Sequence, residues 1–405
     1  MRGLGRYACA AALARLADEM VGIAVVLLVL ARTGDPVLAG AAVAGYTLPA
    51  VLTGPLLGAW LAGARRPRLA LLGNEILLAL VVLGLVAGAG RVPAVAVVGL
   101  TTLAGLCLPL TSGGFSSLVP RLAEGQRLAR ANIVDAVTFN IAALGGPAVA
   151  GLLAGTLGPA AAVGAIAIAS LLAAIATLAL PIRALSVAGE QQTSASALLT
   201  TARAGLAHLL RTPPLRAATL TSVLAYAFLG LLVVALPLHT AALGAPAGDA
   251  GFVWAAVEVG GMAATLLLSP RLRSTAPERI VFGAVAAYGV ALALWPLASG
   301  LGWLLASAVL AGFADGPALP ALFATRQRYS PAPLLAQVAT TGASLKIAAL
   351  ALGSAAGGLL VPWLGARRMI LLVAAGQLVA AGIGRLTTSG SASPPPADVP
   401  ASTAP

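Results

Sequence analysis

The sequence predicts an all-α membrane protein of twelve transmembrane helices arranged as two pseudo-symmetric halves of six. Three observations point there. Of 405 residues, 60% are hydrophobic and only 9% charged, and the mean hydropathy of +0.99 excludes an ordinary water-facing surface. Apolar runs of about 20 residues recur along the chain, each able to cross about 30 Å of hydrocarbon as a helix with its backbone groups internally bonded. Finally, the chain repeats itself at one constant offset of 207 residues. Gly146-Pro147-Ala148-Val149-Ala150-Gly151-Leu152-Leu153 is answered by Gly353-Ser354-Ala355-Ala356-Gly357-Gly358-Leu359-Leu360, and Leu103-Ala104-Gly105 by Leu310-Ala311-Gly312. The pairs Gly54/Gly261, Arg66/Arg273, Arg121/Arg328 and Gly158/Gly365 share that offset, and a duplicated apolar chain is the usual build of a two-halved carrier.

Taken in order, the predicted spans are about 7–31, 37–62, 69–89, 93–119, 128–155 and 159–181, then about 214–240, 248–270, 278–299, 302–325, 333–361 and 367–387. The first is read as a retained helix rather than a cleaved leader, because Asp18 and Glu19 interrupt its apolar stretch, which continues to Leu30. The domains follow: residues 1–182, a linker over 183–213, residues 214–387, and a disordered Pro/Ser/Ala-rich tail over 388–405. Within the linker Leu198, Leu199, Ala202, Leu206, Leu209 and Leu210 share one helical face, which suits an amphipathic helix on the membrane surface.

The net charge of +12 comes from 23 arginines and Lys346, set in short clusters between apolar runs, so it encodes topology rather than a nucleic-acid surface. With the N-terminus in the cytoplasm, eighteen basic residues fall inside, including the cluster Arg65, Arg66 and Arg68, and only Arg32, Arg91, Arg367 and Arg368 fall outside. Both termini are therefore expected in the cytoplasm of a multi-pass cell-membrane protein. All five tryptophans (Trp60, Trp254, Trp295, Trp303 and Trp363) lie near span ends, where the headgroup zone suits them. Cys9 and Cys107 read as inert core residues, and His208 and His239 as solvated loop residues without metal spacing. No HExxH, GxSxG, CxxC or phosphate-loop pattern is present, so an enzyme is not expected, nor a cofactor or metal, and the driving force should be an ion gradient.

Ionisable residues inside spans mark sites or structural pairs. Arg15, Asp18 and Glu19 stand at i, i+3 and i+4 on one face, so Arg15 is expected to neutralise one acid and leave the other for a proton or a cationic substrate. Asp315 lies in Gly312-Phe313-Ala314-Asp315-Gly316-Pro317 and suits either a proton site or a pairing with Lys346. A Glu258–Lys346 pair is the structural alternative favoured for those two residues. Asp135 and Asn132 share a face of the fifth span, and Glu75 reads as an anchor for the nearby arginine cluster.

The twelve spans, central linker and 6+6 repeat resemble the major facilitator superfamily over about residues 5–387. Arg15-Leu-Ala-Asp18-Glu19-Met20, Thr47-Leu-Pro49, Gly54-Pro-Leu-Leu-Gly58, Pro120-Arg121 and Ala131-Asn132 look like its bacterial drug and macrolide or siderophore exporters. Gly146-Pro147 with Gly151 resembles the antiporter motif of that group, with Ala150-Gly151 where two glycines are usual. The loop after the second span departs further: Ala62 occupies the position of the latch aspartate, while the arginines remain.

The resemblance implies that Asp18, Glu19 and Asp315 line a central cavity. It places Asp135, Asn132, Glu258, Lys346, Gly146, Pro147, Gly151, Gly353 and Gly358 on the moving seam. It implies alternating access and proton-coupled efflux of a small drug-like or secondary-metabolite compound by a monomer whose partners are substrate, protons and lipid, with no nucleic acid. An importer or uniporter of a small metabolite, or a non-transporting membrane sensor or scaffold, is the alternative. Tyr46, Phe139, Tyr226 and Phe228 are the aromatic surfaces available to a substrate.

Overall fold

The computed structural model describes residues 2–63, 67–106, 108–116, 118–122, 126–180, 195–272 and 274–388. Every regular element among them is helical. The chain opens with α1 (Arg2–Thr33), α2 (Pro36–Gly63), α3 (Pro67–Gly88) and α4 (Ala94–Gly105). A single π-helical turn (Leu110–Gly114) and the short α5 (Val119–Leu122) lead into α6 (Gln126–Leu157) and α7 (Pro159–Leu178). The linker supplies α8 (Ala195–Arg211), followed by α9 (Pro213–Ala242), α10 (Ala250–Leu272), α11 (Pro277–Leu292), α12 (Leu301–Asp315), α13 (Ala318–Tyr329) and α14 (Ala332–Thr388). Proline opens α2, α3, α7, α9 and α11, where its missing N–H costs no helical bond and its fixed φ suits the first turn.

Eight described helices are long and apolar enough to cross a bilayer, and Pro36–Val51 and Ala94–Gly105 are shorter apolar helices. Arg15, Asp18 and Glu19 keep α1 out of that set despite its 32 residues. In the expected fourth span α4 ends at Gly105 and a π turn begins at Leu110, and the expected tenth span turns at Gly316-Pro317. Pro109 and Leu110, where the chain enters the π turn, stand at the repeat offset from Gly316 and Pro317. Gly158 and Gly365, another offset pair, both hold left-handed backbone (φ 91° and 73°), and each begins a new helical segment. That conformation is cheap only for glycine, and at Gly365 it divides α14 where the eleventh and twelfth spans were expected to meet.

Helix α1 packs on α6 and α7, α3 on α7, α9 on α14, and α10 on α12. Contacts between the early and late helices run chiefly through α2 on α14 and α6 on α10. Glycine permits these close approaches. A Cβ at Gly146 would overlap Glu19 of α1, whereas one at Gly151 would overlap the Gly248 carbonyl before α10. Offset by the repeat, Gly353 meets the Ala227 carbonyl of α9 and Gly358 meets the Pro36 carbonyl of α2. In both copies the first glycine packs an early helix on an early one or a late on a late, and the second packs an early helix on a late one. Pro147 presents its carbonyl to Gly251, and Ser354 presents its own to Gly40, which completes the two seams.

Helix α8 lies where the linker was expected, with the side chains of Leu198, Leu199 and Ala202 outside the described residues. Leu209 is buried with Leu215, Val338 and Tyr329, Gly205 approaches Gln337 of α14, and Leu206 and Leu210 remain exposed. Residues 181–194 (which include the start of the linker), the tail from 389, and Arg65 and Arg66 lie outside the described residues, as does the side chain of Ala62.

Candidate functional site

The single ion pair among the described residues joins α1 to α6. Arg15 is 2% exposed, and its Nη2 lies 2.7 Å from Asp135 Oδ1. The same guanidinium donates to the Asp135 carbonyl (3.0 Å), to Ser116 Oγ (3.0 Å) and to Thr138 Oγ1, and stacks on Phe139 at 3.5 Å from the ring centroid. Tyr7 donates its hydroxyl to Asp135 Oδ1 (2.6 Å), and Ser116 donates to Oδ2 (2.8 Å). The guanidinium and the carboxylate each carry several hydrogen bonds besides the ion pair, which offsets part of the desolvation penalty of burying them. This corrects the expectation that Arg15 neutralises Asp18 or Glu19. It also moves Asp135 from the seam into a hub that ties α1 to α6.

Because Arg15 is taken, the acids beside it form no ion pair among the described residues. Asp18 accepts a hydrogen bond from Tyr46 of α2 and is half-buried. Glu19 lies at the middle of α1 yet is exposed, and it feels the charge of Glu258 on α10, which is exposed in the same way. Glu258 in turn feels Asp315, and Asp315 feels Lys346. At the other end Asp18 feels both Glu19 and Glu75. Electrostatic neighbours therefore run from Glu75 through Asp18, Glu19, Glu258 and Asp315 to Lys346, five carboxyls with one cation at the end.

Asp315 and Lys346 share a cavity of about 50 Å³ with Ser222, Tyr226, Tyr288 and Gln377, room for a few water molecules. Lys346 Nζ stands 3.9 Å from the Tyr226 ring centroid, a cation–π contact. The favoured Glu258–Lys346 pair is not formed; Lys346 turns toward Tyr226 and Asp315 instead. Gln377 is buried and donates to the Ala225 carbonyl at 2.9 Å.

Several other expectations change. Three of the four aromatic surfaces already serve charges: Tyr46 binds Asp18, Phe139 lies under Arg15 and Tyr226 under Lys346, while Phe228 packs against Gly376. Glu75 is fully buried and accepts from Asn74 Nδ2 (3.3 Å) rather than anchoring Arg68, whose guanidinium donates to the Leu180 carbonyl. His239 is buried in α9 and donates to the Trp295 carbonyl (3.2 Å), and His208 of α8 donates to that of Tyr329 (2.9 Å), so neither is a solvated loop residue. Trp295 is itself fully buried, unlike Trp303 and Trp363, and Cys9 is exposed. The side chain of Asn132 lies outside the described residues. Among the described residues no cluster of His, Cys, Asp or Glu has the arrangement to hold a metal ion.

Tyr7, Ser116 and Thr138 are the residues that the sequence did not single out. Tyr7 and Arg15 are eight apart, on one face of α1, which is a visible signal. Ser116 and Thr138 give none, since apolar spans contain many hydroxyls without a role.

Comparison with known proteins agrees with this architecture. The most similar solved structures include a nucleoside transporter, NupG, with a TM-score of 0.77 at 15% identity over 96% of this chain and 100% of that one. An auto-inhibited POT family peptide transporter aligns with a TM-score of 0.74 at 15% identity, covering 97% and 98%. At such identities the likeness is one of fold alone. An uncharacterized MFS-type transporter, y4rN, from Sinorhizobium fredii (strain NBRC 101917 / NGR234) is 32% identical over 369 residues, 89% of this chain and 88% of the relative. The sequence profile of the Major Facilitator Superfamily matches residues 7–345. With that profile matched over most of its length and a relative of the same type at 32% identity, the chain belongs to the Major Facilitator Superfamily of transporters.

Proposed function

We propose that this chain is a proton-coupled efflux carrier for small cationic, drug-like or secondary-metabolite compounds, working by alternating access between two six-helix halves (1–182 and 214–387) with both termini in the cytoplasm. The observation that carries this reading is Glu19, exposed at mid-helix with its neighbouring arginine committed to Asp135. An intramembrane carboxylate that is exposed and forms no ion pair attracts either a proton or a cationic group. Glu258 supplies a second carboxylate from α10, so a cation between them is held from both halves at once. Efflux follows if substrate and proton compete for Glu19: a proton taken up from outside releases substrate outward, and its loss to the cytoplasm restores the site. The glycine seams are the surfaces on which the halves rock, and the protein acts as a monomer without cofactor.

The test is flux of the cationic dye ethidium in liposomes holding purified protein and an imposed pH gradient. Wild-type protein should move the dye against the proton gradient, and Glu19→Gln should reduce that flux more than ten-fold with the fold intact. Gradient-independent dye movement would remove the coupling, and gradient-driven flux unchanged in Glu19→Gln would remove Glu19 from it. A protein that moves neither ethidium nor any compound from a peptide, nucleoside and drug panel would favour the sensor or scaffold.

A further inference from the structure

Two arginines are buried among the described residues, and only one of them has an acid partner. Arg15 has Asp135, whereas Arg326 of α13 is 4% exposed and forms no ion pair. Its guanidinium donates to the Ala339 carbonyl through Nη1 at 3.4 Å, while Nε and Nη2 are shielded from water and reach no acceptor. Nε and Nη2 form one edge of the guanidinium, the fork of parallel N–H groups that grips a carboxylate or a single anion. A buried cation with that edge unused is costly, since nothing replaces its lost hydration.

Among the described residues no carboxylate is placed to meet it. Gly342 stands 207 residues after Asp135, and it lies directly against the Arg326 guanidinium, which a Cβ there would overlap. On α8, α9 and α11 to α14 the only acids are Glu278, which accepts from the Tyr329 hydroxyl at 3.2 Å, and Asp315, which shares the cavity with Lys346. Asp315 balances one of the two cations, so one positive charge is left over.

The unused edge belongs beside that cavity. Leu322 and Lys346 line it, and Arg326 and Gly342 stand one helical turn from them, at i+4 on α13 and i−4 on α14. A link of only Ser330 and Pro331 makes α13 and α14 antiparallel neighbours. Helical side chains lean toward the N-terminus of their own helix. On α13 this turns Arg326 back over Phe323, 5.9 Å from its ring centroid, and so toward Leu322; on α14 it turns Lys346 toward Gly342. The two cations therefore converge on the Leu322 end of the cavity, to which Ser222 adds a hydroxyl.

We propose that Arg326 and Lys346 hold a compact monovalent anion, of the size of chloride or formate, between α13 and α14. The free guanidinium edge binds the ion and the ammonium faces it from the next helix. A cavity of about 50 Å³ admits an ion of this size and excludes a drug-sized compound. The site is independent of the efflux reading, which rests on Glu19 and Glu258.

Thermal unfolding of the purified full-length protein in sodium chloride, sodium formate or sodium gluconate at one ionic strength tests this, because gluconate is too bulky for the cavity. Chloride or formate should raise the unfolding midpoint saturably, by about 2–4 °C once the ion is well above its Kd, and their half-saturating concentrations separate a halide site from a carboxylate site. Arg326→Gln should remove the dependence. Gly342→Asp should supply the carboxylate internally, since only the flexible end of Arg326 must shift, and should raise the midpoint in gluconate while making it indifferent to chloride and formate. Equal wild-type midpoints in the three salts would overturn the site. An anion effect retained in Arg326→Gln would also overturn it, by assigning that effect to other basic residues. If Arg326→Gln does not fold, Gly342→Asp decides, and an anion effect there as large as in the wild type sinks the proposal.

Discussion

The guanidinium of Arg15 stands 2.7 Å from the carboxylate of Asp135, a residue 120 positions further along the chain, and this pair decides which acids of α1 remain available. Both charges are bonded on several sides, so removal of either leaves the other buried and unmatched. Asp135→Asn or Arg15→Ala should destabilise the protein by about 3–5 kcal/mol. An Arg15→Met, Asp135→Leu double variant should lose much less than the sum of the singles. Thermal unfolding of the four proteins in one detergent, read as a double-mutant cycle, checks both statements.

The second glycine of each seam motif permits contact between early and late helices. Gly358→Val should push α2 away from α14, since a side chain there meets the Pro36 carbonyl and the Val37 Cα. The distance between spin labels at Asp35 and Trp363 should lengthen, whereas Gly164→Val, which has open space around it, should leave it unchanged.

Gly158 and Gly365 take up a backbone conformation that a side chain resists, with nothing near enough to clash. Alanine at either position should cost about 1 kcal/mol through backbone strain alone. The two losses should add in a double variant, because the sites belong to separate turns. Unfolding midpoints of the three variants measure this.

Lys346 is the one cation at the end of the acidic line. Lys346→Met should leave Asp315 without its opposite charge and destabilise the protein, and Asp315→Asn should recover part of that loss, with a coupling of about 0.5–3 kcal/mol. Glu258→Gln in the Lys346→Met background should recover less, because Lys346 faces Asp315 and Tyr226 rather than Glu258.

Much of the architecture was legible because lipid imposes it. Runs such as Pro159–Leu178 and Pro213–Ala242 have no alternative to a helix in hydrocarbon, so composition and length alone locate them to within a few residues. Glycines at the 207-residue offset were legible for a related reason: Gly151 and Gly358, or Gly158 and Gly365, are held to glycine by contact or by φ. Partner choice was not legible. On α1 the i, i+3, i+4 spacing of Arg15, Asp18 and Glu19 suggests an internal pairing, yet Tyr7, Ser116 and Thr138 converge on Asp135 and make the distant pair the better-bonded one.

By itself, therefore, the sequence determined that this is a helical, multi-pass membrane protein with acids inside its apolar segments, because hydropathy and charge are local properties that each segment carries unaided. Tertiary structure alone decided that Arg15 belongs to Asp135, that Lys346 faces Tyr226 and Asp315, that Trp295 and His239 are buried together, and that Glu19 is left open while Glu75 is closed in. A charge inside a bilayer takes whichever partner satisfies most of its hydrogen bonds. Only the packing of helices distant in sequence brings those candidates together.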